Sequence, residues 1–193
     1  MPLWGKTNVT SAKPKYLNHV DAGDVYADTR GWIKAVKNAD GTTKSEEVLV
    51  SIKGLSDAVG GATPTAVYFD KAAYDSDDVV ILTVEWDEEL QFTGTVNTSN
   101  LTAVGVTLGG SAQAFVYSSG LDANKEGNKI NFTSTLSGTG SLAIGAITVT
   151  LAGGLTVADN TGTTGTVDLE TTTAENKGAG GLGDYAAITV TAA

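Results

Sequence analysis

Short runs of strand-forming residues alternate with turn-forming residues along most of this chain. Gly, Asn, Asp and Ser separate the runs at fairly even intervals, and Thr and Val, whose branched side chains suit a pleated surface, recur within them. No segment carries a good amphipathic helical period. The pattern predicts an all-β protein with an antiparallel β-sandwich in its C-terminal part. The clearest runs lie at residues 79–86, 92–94, 101–108, 112–117, 130–132, 144–151 and 167–169.

The N-terminal third has an alternating pattern of its own. Residues 31–37 alternate apolar with basic side chains, and residues 48–53 alternate again. Asp40-Gly41 lies between the two runs and favours a turn, because Gly accepts a positive φ without steric cost. These features predict a hairpin or small meander. Trp32 is the large apolar residue that must pack on something, and the lysines of the first run are expected on a solvated face.

The distribution of Pro, Gly and strand-forming residues divides the chain into three parts. Residues 1–22 have no sustained period and are predicted to form an extended arm. Residues 23–62 form the small β module, and residues 63–193 form the sandwich. A linker is expected at residues 56–65, where two glycines loosen the chain and a proline stiffens its exit. A last strand at residues 185–190 either closes the sandwich or returns to the module.

Charge is distributed unevenly between these parts. The net charge of the 193-residue chain is −10, yet residues 1–71 hold nine basic and eight acidic residues, a balance of +1. The remaining residues hold three basic and fourteen acidic residues, a balance of −11. The first part is therefore able to dock on a partner, whereas the second stays soluble and repels its neighbours. The acidic total argues against a nucleic-acid partner, and no apolar run is long enough for membrane insertion.

Few residues offer catalytic or metal-binding chemistry. The chain has no Cys and only His19, so disulfides, thiolate sites and a His-rich zinc site are excluded, and a Ser-His-Asp triad would have to use that one imidazole. Acidic clusters could supply calcium ligands, but they lack the spacing of an EF-hand loop. A glycosidase needs two carboxylates held across a cleft, and acidic residues at the edge of a sandwich do not favour that arrangement. We therefore predict no enzyme activity and no cofactor. The acidic clusters are Asp75, Asp77 and Asp78, then Asp87, Glu88 and Glu89.

The order of several short motifs in the second part resembles the bacterial Ig-like repeats of large surface adhesins. The matching residues are Trp-Asp-Glu-Glu at 86–89, Thr-Gly at 93–94, Val-Thr-Leu-Gly-Gly at 106–110 and Phe-Val-Tyr-Ser-Ser-Gly at 115–120. The resemblance implies that residues 63–193 form an Ig-like antiparallel β-sandwich. It implies a scaffold more strongly than any particular function.

The N-terminal third resembles the start of virion structural proteins of marine tailed phages such as cyanophages. The residues that carry this likeness are 2–7, Lys13 to Tyr16, Gly31-Trp32 and 47–52. The resemblance implies a viral structural protein of a bacteriophage. Residues 1–8 lack the apolar segment of a secretory signal, and a virion protein needs none, since it is assembled in the host cytoplasm and released by lysis.

We expect a capsid decoration or cement protein that docks on the shell through its N-terminal part and projects the Ig-like domain. Its partners are then the major capsid protein or other virion subunits, with self-association as a further protein–protein interaction. The alternative is a tail, neck or fibre-associated protein whose Ig-like domain binds host surface glycans.

The predicted partner-binding residues lie in the arm and the module. Aromatic side chains dominate interface energies, and an apolar pair so near a terminus needs somewhere to bury. Insertion of the arm into a neighbouring subunit competes with folding back onto its own domain. The predicted residues are Leu3, Trp4, Lys6, Tyr16 and Trp32.

Overall fold

The computed structural model describes residues 24–38, 43–56, 60–119, 126–159 and 166–193, together with Pro14. Within these ranges the strands join in one mixed sheet, so the all-β prediction is confirmed. Helical backbone is confined there to Leu55-Ser56 and two short 3-10 helices, Thr173–Glu175 and Ala179–Gly181, and no described helix could cross a membrane. The strands are β1 (Val25–Asp28), β2 (Gly31–Lys37), β3 (Thr43–Ser51), β4 (Pro64–Phe69), β5 (Tyr74–Asp75), β6 (Val79–Thr93), β7 (Leu101–Leu108), β8 (Ser111–Ser119), β9 (Glu126–Thr135), β10 (Gly140–Leu151), β11 (Thr156–Asp159) and β12 (Ile188–Thr191).

Strands β1, β2 and β3 form an antiparallel meander, which we call the module (residues 24–56). Strand β3 is its outer strand and is mostly exposed. Trp32 lies in β2 and is fully buried with Val25, Ala27 and Leu55. Only a few side chains form this core, because a three-stranded meander has little apolar surface to enclose.

Strands β4 to β12 form the larger part of the sheet, which we call the body (residues 60–193). Its strand order is β6-β9-β8-β7-β10-β12-β5, and β4 and β11 pair with the edge of β6 that faces away from β9. Nearly all of these pairs are antiparallel, as predicted. The β12–β5 pair is parallel, as is the single pair that joins β1 to β6.

The body's sheet curls around one apolar core. Phe69 ends β4 and Tyr74 lies in β5, at opposite ends of the strand path, yet their rings pack edge to face with centroids 6.4 Å apart. Trp86, Phe115 and Phe132 are fully buried in the same core. Alternate residues of each strand face inward because the side-chain period of a strand is two.

Two glycines allow strands to approach more closely than any other residue would permit. At Gly31, where φ is +134°, a Cβ would lie 2.0 Å from the carbonyl oxygen of Val50. At Gly105, where φ is +118°, a Cβ would lie 2.0 Å from the carbonyl oxygen of Ala146. The first glycine holds the β2–β3 pair of the module, and the second lies at a bulge between β7 and β10 of the body.

Several boundaries differ from the sequence-based predictions. The linker predicted at residues 56–65 is wrong in its second half, because Ala62 is fully buried and β4 already begins at Pro64. The strand predicted at 167–169 is also wrong. Asp168 N–H donates to the carbonyl of Ala62 and Leu169 accepts from Val149, so this segment bonds to two separate neighbours and joins no continuous ladder.

The chain's last strand belongs to the body. Residues 188–191 form β12, which pairs with β10 on one side and β5 on the other. Of the predicted arm, only Pro14 is described, and it is buried. The turn predicted at Asp40-Gly41 lies outside the described residues, although the strands on either side of it pair as a hairpin.

Candidate functional site

The two parts of the molecule meet at a bulge in β6. Glu85 pairs with Lys129 of β9, and the next paired residue, Leu90, lies opposite Gly127. Residues 86–89 therefore stand opposite the single residue Asn128, and we call them the β6 bulge. The Asn128 amide donates to the carbonyl oxygen of Trp86 at 3.2 Å, which holds the bulge against β9. A bulge re-aims its side chains and frees backbone groups for another partner.

The module and β4 both bind to the β6 bulge. Ala27 of β1 pairs in parallel with Glu88. Asp87 is bound to Thr63 just before β4, since its N–H donates to the Thr63 carbonyl at 3.1 Å and its carboxylate accepts from Thr63 N–H at 2.6 Å. Asp87 and Glu88 are both fully buried. This acidic run is thus part of the interior, at the point where three strands converge.

Beside the bulge lies a cluster that we call the junction triad, formed by Asp24, Glu85 and Lys129. The Lys129 ammonium lies 2.9 Å from Asp24 Oδ1 and 3.3 Å from Glu85 Oε1. Glu85 also accepts a hydrogen bond of 2.6 Å from the hydroxyl of Tyr68. Burial alone would lower the pKa of Lys129, but the charges of Glu85 and Asp24 outweigh it and raise the pKa. Since Asp24 precedes β1 while the other two lie in the body, the triad bridges the two parts.

Further polar contacts surround the junction on the module side. The Tyr26 hydroxyl donates to Glu46 Oε1 at 3.0 Å, and Arg30 contacts Asp28 and Glu46 at 2.5 Å each. Burial, together with the charge of Glu89 in the β6 bulge, raises the pKa of Tyr26. The hydrogen bond from Arg30 lowers the pKa of Glu46 against the opposing effect of burial.

Lys37 at the end of β2 lies within the same charged region. Burial lowers its pKa, and the positive charge of Lys129 adds to this effect, while Asp24 and Glu89 act in the opposite direction. Two lysines and several carboxylates thus share one partly buried surface. The ion pair between Asp24 and Lys129 crosses from the module to the body, so separating the two parts would leave both charges without this partner.

No protein-family model, curated protein or solved structure matches this chain. Among the described residues, no group of three or more His, Cys, Asp or Glu side chains is arranged to hold a metal ion. Of the acidic residues considered as calcium ligands, Asp75 instead accepts from the Thr191 hydroxyl at 2.5 Å, and Asp78 accepts from the backbone N–H of Asp75 at 3.1 Å.

The predicted partner-binding residues fall into two groups, four outside the described residues and one inside the module. Leu3, Trp4, Lys6 and Tyr16 lie outside the described residues, so their role in binding stays a prediction. Trp32 is fully buried in the module's own core, where it contributes to the module's stability and has no surface exposed to a partner. A large aromatic residue in a small meander is the natural centre of its core.

The sequence-based predictions did not select the junction triad. Glu85 gave a weak signal, because it is the one charged residue in the run from Val79 to Trp86. A charged residue in an otherwise buried strand indicates that a polar or charged group packs against that face of the strand. Asp24 and Lys129 could not be found in this way, since their contact depends on long-range strand pairing.

Proposed function

We propose that this chain is a structural component of a phage virion, acting as a capsid decoration protein. The N-terminal arm and module attach it to the shell, where the major capsid protein or other virion subunits are its partners. The body projects from the particle as an Ig-like domain. The protein is assembled in the host cytoplasm together with the rest of the particle.

The observation that carries this proposal is the firm union of two electrostatically different parts. The sequence is nearly neutral through residue 71 and strongly acidic beyond it. The module is joined to the body by the Ala27–Glu88 strand pair and by the junction triad. A near-neutral part can approach a protein surface closely, while an acidic projection repels its neighbours on the same lattice. The resemblance of the N-terminal residues to phage virion proteins points the same way.

The surface of the body favours decoration over glycan binding. Every aromatic side chain among the described residues is buried or half-buried, including Tyr117 and Tyr185. Sugar-binding sites commonly stack the ligand on an exposed aromatic face, so the described surface offers no such platform. The alternative of a tail, neck or fibre protein that binds host glycans therefore has less support.

The copy number of the chain per purified particle tests the proposal. Quantitative mass spectrometry against the major capsid protein is expected to give an equal number, or a simple fraction that reflects the lattice. A ratio of only a few copies per hundred capsid subunits would contradict lattice-wide decoration. It would place the protein in the neck, tail or fibres.

Attachment is tested separately by altering the arm. Deletion of residues 1–22, or Trp4→Ala together with Tyr16→Ala, is expected to abolish binding to particles that lack the protein. Circular dichroism and thermal unfolding should show a folded body in both variants. Val104→Ala, at a 48% exposed position of the body, is the matched control and should bind normally. Undiminished binding of the arm variants would contradict attachment through the arm.

A further inference from the structure

Strand β3 is the outer strand of the module, and among the described residues no strand pairs with its second edge. Residues 43–48 of this strand are all exposed. We propose that the edge binds the same edge of a second copy of the chain, so that two β3 strands pair in antiparallel across a two-fold axis. The inference names a surface for self-association, and it does not depend on the proposed function.

The order of charges in β3 suits one symmetric register. An edge strand with charged side chains normally resists pairing, because like charges meet. In a symmetric antiparallel pair one residue lies opposite its own copy, and the residues on either side of it lie opposite each other's copies. With Ser45 at the axis, each Lys44 faces Glu46 of the other copy. The β3 ladder with β2 is irregular at Lys44, but lysine and glutamate side chains are long enough to reach diagonal as well as direct positions.

The neighbouring registers are less favourable. With Glu46 or Glu47 at the axis, two identical carboxylates lie directly opposite each other, which destabilises a strand pair. With Val48 at the axis, the two glutamates face Val50 and Leu49 of the other copy, and no opposite charges meet. The sequence of β3 therefore favours the register centred on Ser45.

Glu46 is already held in position to receive the second copy. Its carboxylate accepts from the Tyr26 hydroxyl at 3.0 Å and from Arg30 at 2.5 Å. A carboxylate can accept about four hydrogen bonds, so it can also accept from a lysine. Lys44 of the other copy would meet a group whose side chain is ordered before binding, which lowers the entropic cost of association.

The distribution of charge favours contact through β3 over contact through the body. Residues 24–56 hold five basic and five acidic residues, whereas residues 60–193 hold four basic and fifteen acidic residues. In the strand order, β1 and β2 separate β3 from β6. Pairing through β3 therefore places the two β6 strands seven strand spacings apart, or about 34 Å. This separation exceeds the Debye length of about 8 Å at physiological ionic strength, so the two acidic bodies repel each other little.

Cysteine cross-linking of the full chain tests the register, because the unaltered chain has no Cys. In the Ser45→Cys variant the two thiols lie opposite each other at the axis, within reach of a disulfide, so mild oxidation should give a cross-linked dimer. Ser51→Cys places an exposed thiol at the end of the same strand and is the matched control. Its two thiols would lie about 40 Å apart in this register, so they should not cross-link within the dimer.

Sedimentation velocity measures the dimer without a cross-link. A single strand pair is a small interface, so the unaltered chain is expected to dimerise weakly, at concentrations between about 1 µM and 1 mM. Lys44→Glu replaces both attractive pairs with repulsive ones and should raise the dissociation constant at least about tenfold. Lys53→Glu makes the same change of charge at an exposed position of the module outside β3, and it should leave the dissociation constant unaltered.

Three results would overturn the pairing. The first is a chain that stays monomeric up to about 1 mM. The second is a dimer in which Ser51→Cys cross-links as readily as Ser45→Cys, and the third is equal weakening by Lys44→Glu and Lys53→Glu. Circular dichroism should show that all four variants are folded. Because these measurements use the isolated chain, their outcome is separate from that of the particle-binding experiments.

Discussion

Among the described residues, the module buries two small apolar clusters of four and three side chains, whereas the body buries one cluster of 26. A unit as small as the module rarely folds alone without a disulfide, a metal or a larger neighbour. The module instead uses the Ala27–Glu88 strand pair and the charged contacts around the junction. From this difference we infer that the body is the more stable part and that the module depends on it.

The largest effect is expected from a change in the body's core. Trp86 is fully buried, and its indole N–H donates to the carbonyl of Asp168 at 2.8 Å. Trp86→Ala should lower the free energy of unfolding by about 3–5 kcal/mol, since it leaves both a cavity and an unpaired acceptor. Urea denaturation should show module and body unfolding together. Val104→Ala is the control and should change stability by less than about 0.5 kcal/mol.

The two closely packed glycines offer a matched comparison between the parts. Gly31→Ala and Gly105→Ala introduce the same clash, a Cβ 2.0 Å from a carbonyl oxygen, and each should cost about 2–4 kcal/mol locally. Hydrogen exchange should show that Gly31→Ala exposes β2 and β3 while the body keeps its protection. Gly105→Ala should weaken protection in both parts. An equal loss throughout the molecule in the two variants would contradict the dependence of the module on the body.

Gly110→Ala provides the control for this comparison. Gly110 also has a positive φ, of +85°, but a Cβ there would have no heavy atom within 4 Å. Its substitution should cost clearly less than either clash, because only the backbone conformation is strained. A loss as large as that of Gly105→Ala would show that φ, and not close strand approach, governs these positions.

Alkaline pH is expected to destabilise both parts through tyrosines. Burial, reinforced by neighbouring carboxylates, raises the pKa of Tyr26, Tyr68 and Tyr74 above their ordinary value of 10.0. Above pH 10 these groups lose protons in the unfolded chain while the folded protein keeps them. The stability they provide is therefore complete below pH 10 and falls as the pH rises, by up to about 1.4 kcal/mol per pH unit for each tyrosine.

Denaturation midpoints measured between pH 8 and 11 should reveal this loss. Tyr26→Phe in the module and Tyr74→Phe in the body should each make the free energy of unfolding fall less steeply as the pH rises. Each substitution removes one titrating hydroxyl and keeps the ring. A slope that neither change affects would show that other groups govern the alkaline transition.

The smallest effect is expected at the exposed end of the module. The Arg30 side chain is 52% exposed, so its ion pairs with Asp28 and Glu46 are well hydrated. Arg30→Ala should lower the free energy of unfolding by no more than about 1 kcal/mol. Asp28→Ala should cost more, because Asp28 Oδ1 also accepts the backbone N–H of Gly31 at 3.1 Å. Thermal unfolding of the two variants compares these contributions.

Much of the fold could be predicted from local patterns. The runs at 31–37, 79–86, 101–108 and 144–151 all lie within strands, because β-branched and apolar residues alternate there between turn formers. The continuation of β6 to Thr93 was missed, since acidic residues disfavour a strand. Here they form the β6 bulge and find partners in the interior.

The junction was far less predictable than the strands. Glu85 and Lys129 meet only because β6 and β9 pair in one particular register, and Asp24 joins them only when the module docks. No local pattern encodes such contacts. The short strand β11 was missed for a similar reason, because its pairing with β6 and not its own composition makes it a strand.

The claim that the N-terminal part attaches while the body projects is tested most directly by hydrogen exchange on the free chain and on particles that carry it. We predict that binding slows exchange in residues 1–62 and leaves β7, β8 and β10 of the body unchanged. Slower exchange confined to the body, with no change in the arm and module, would contradict the account.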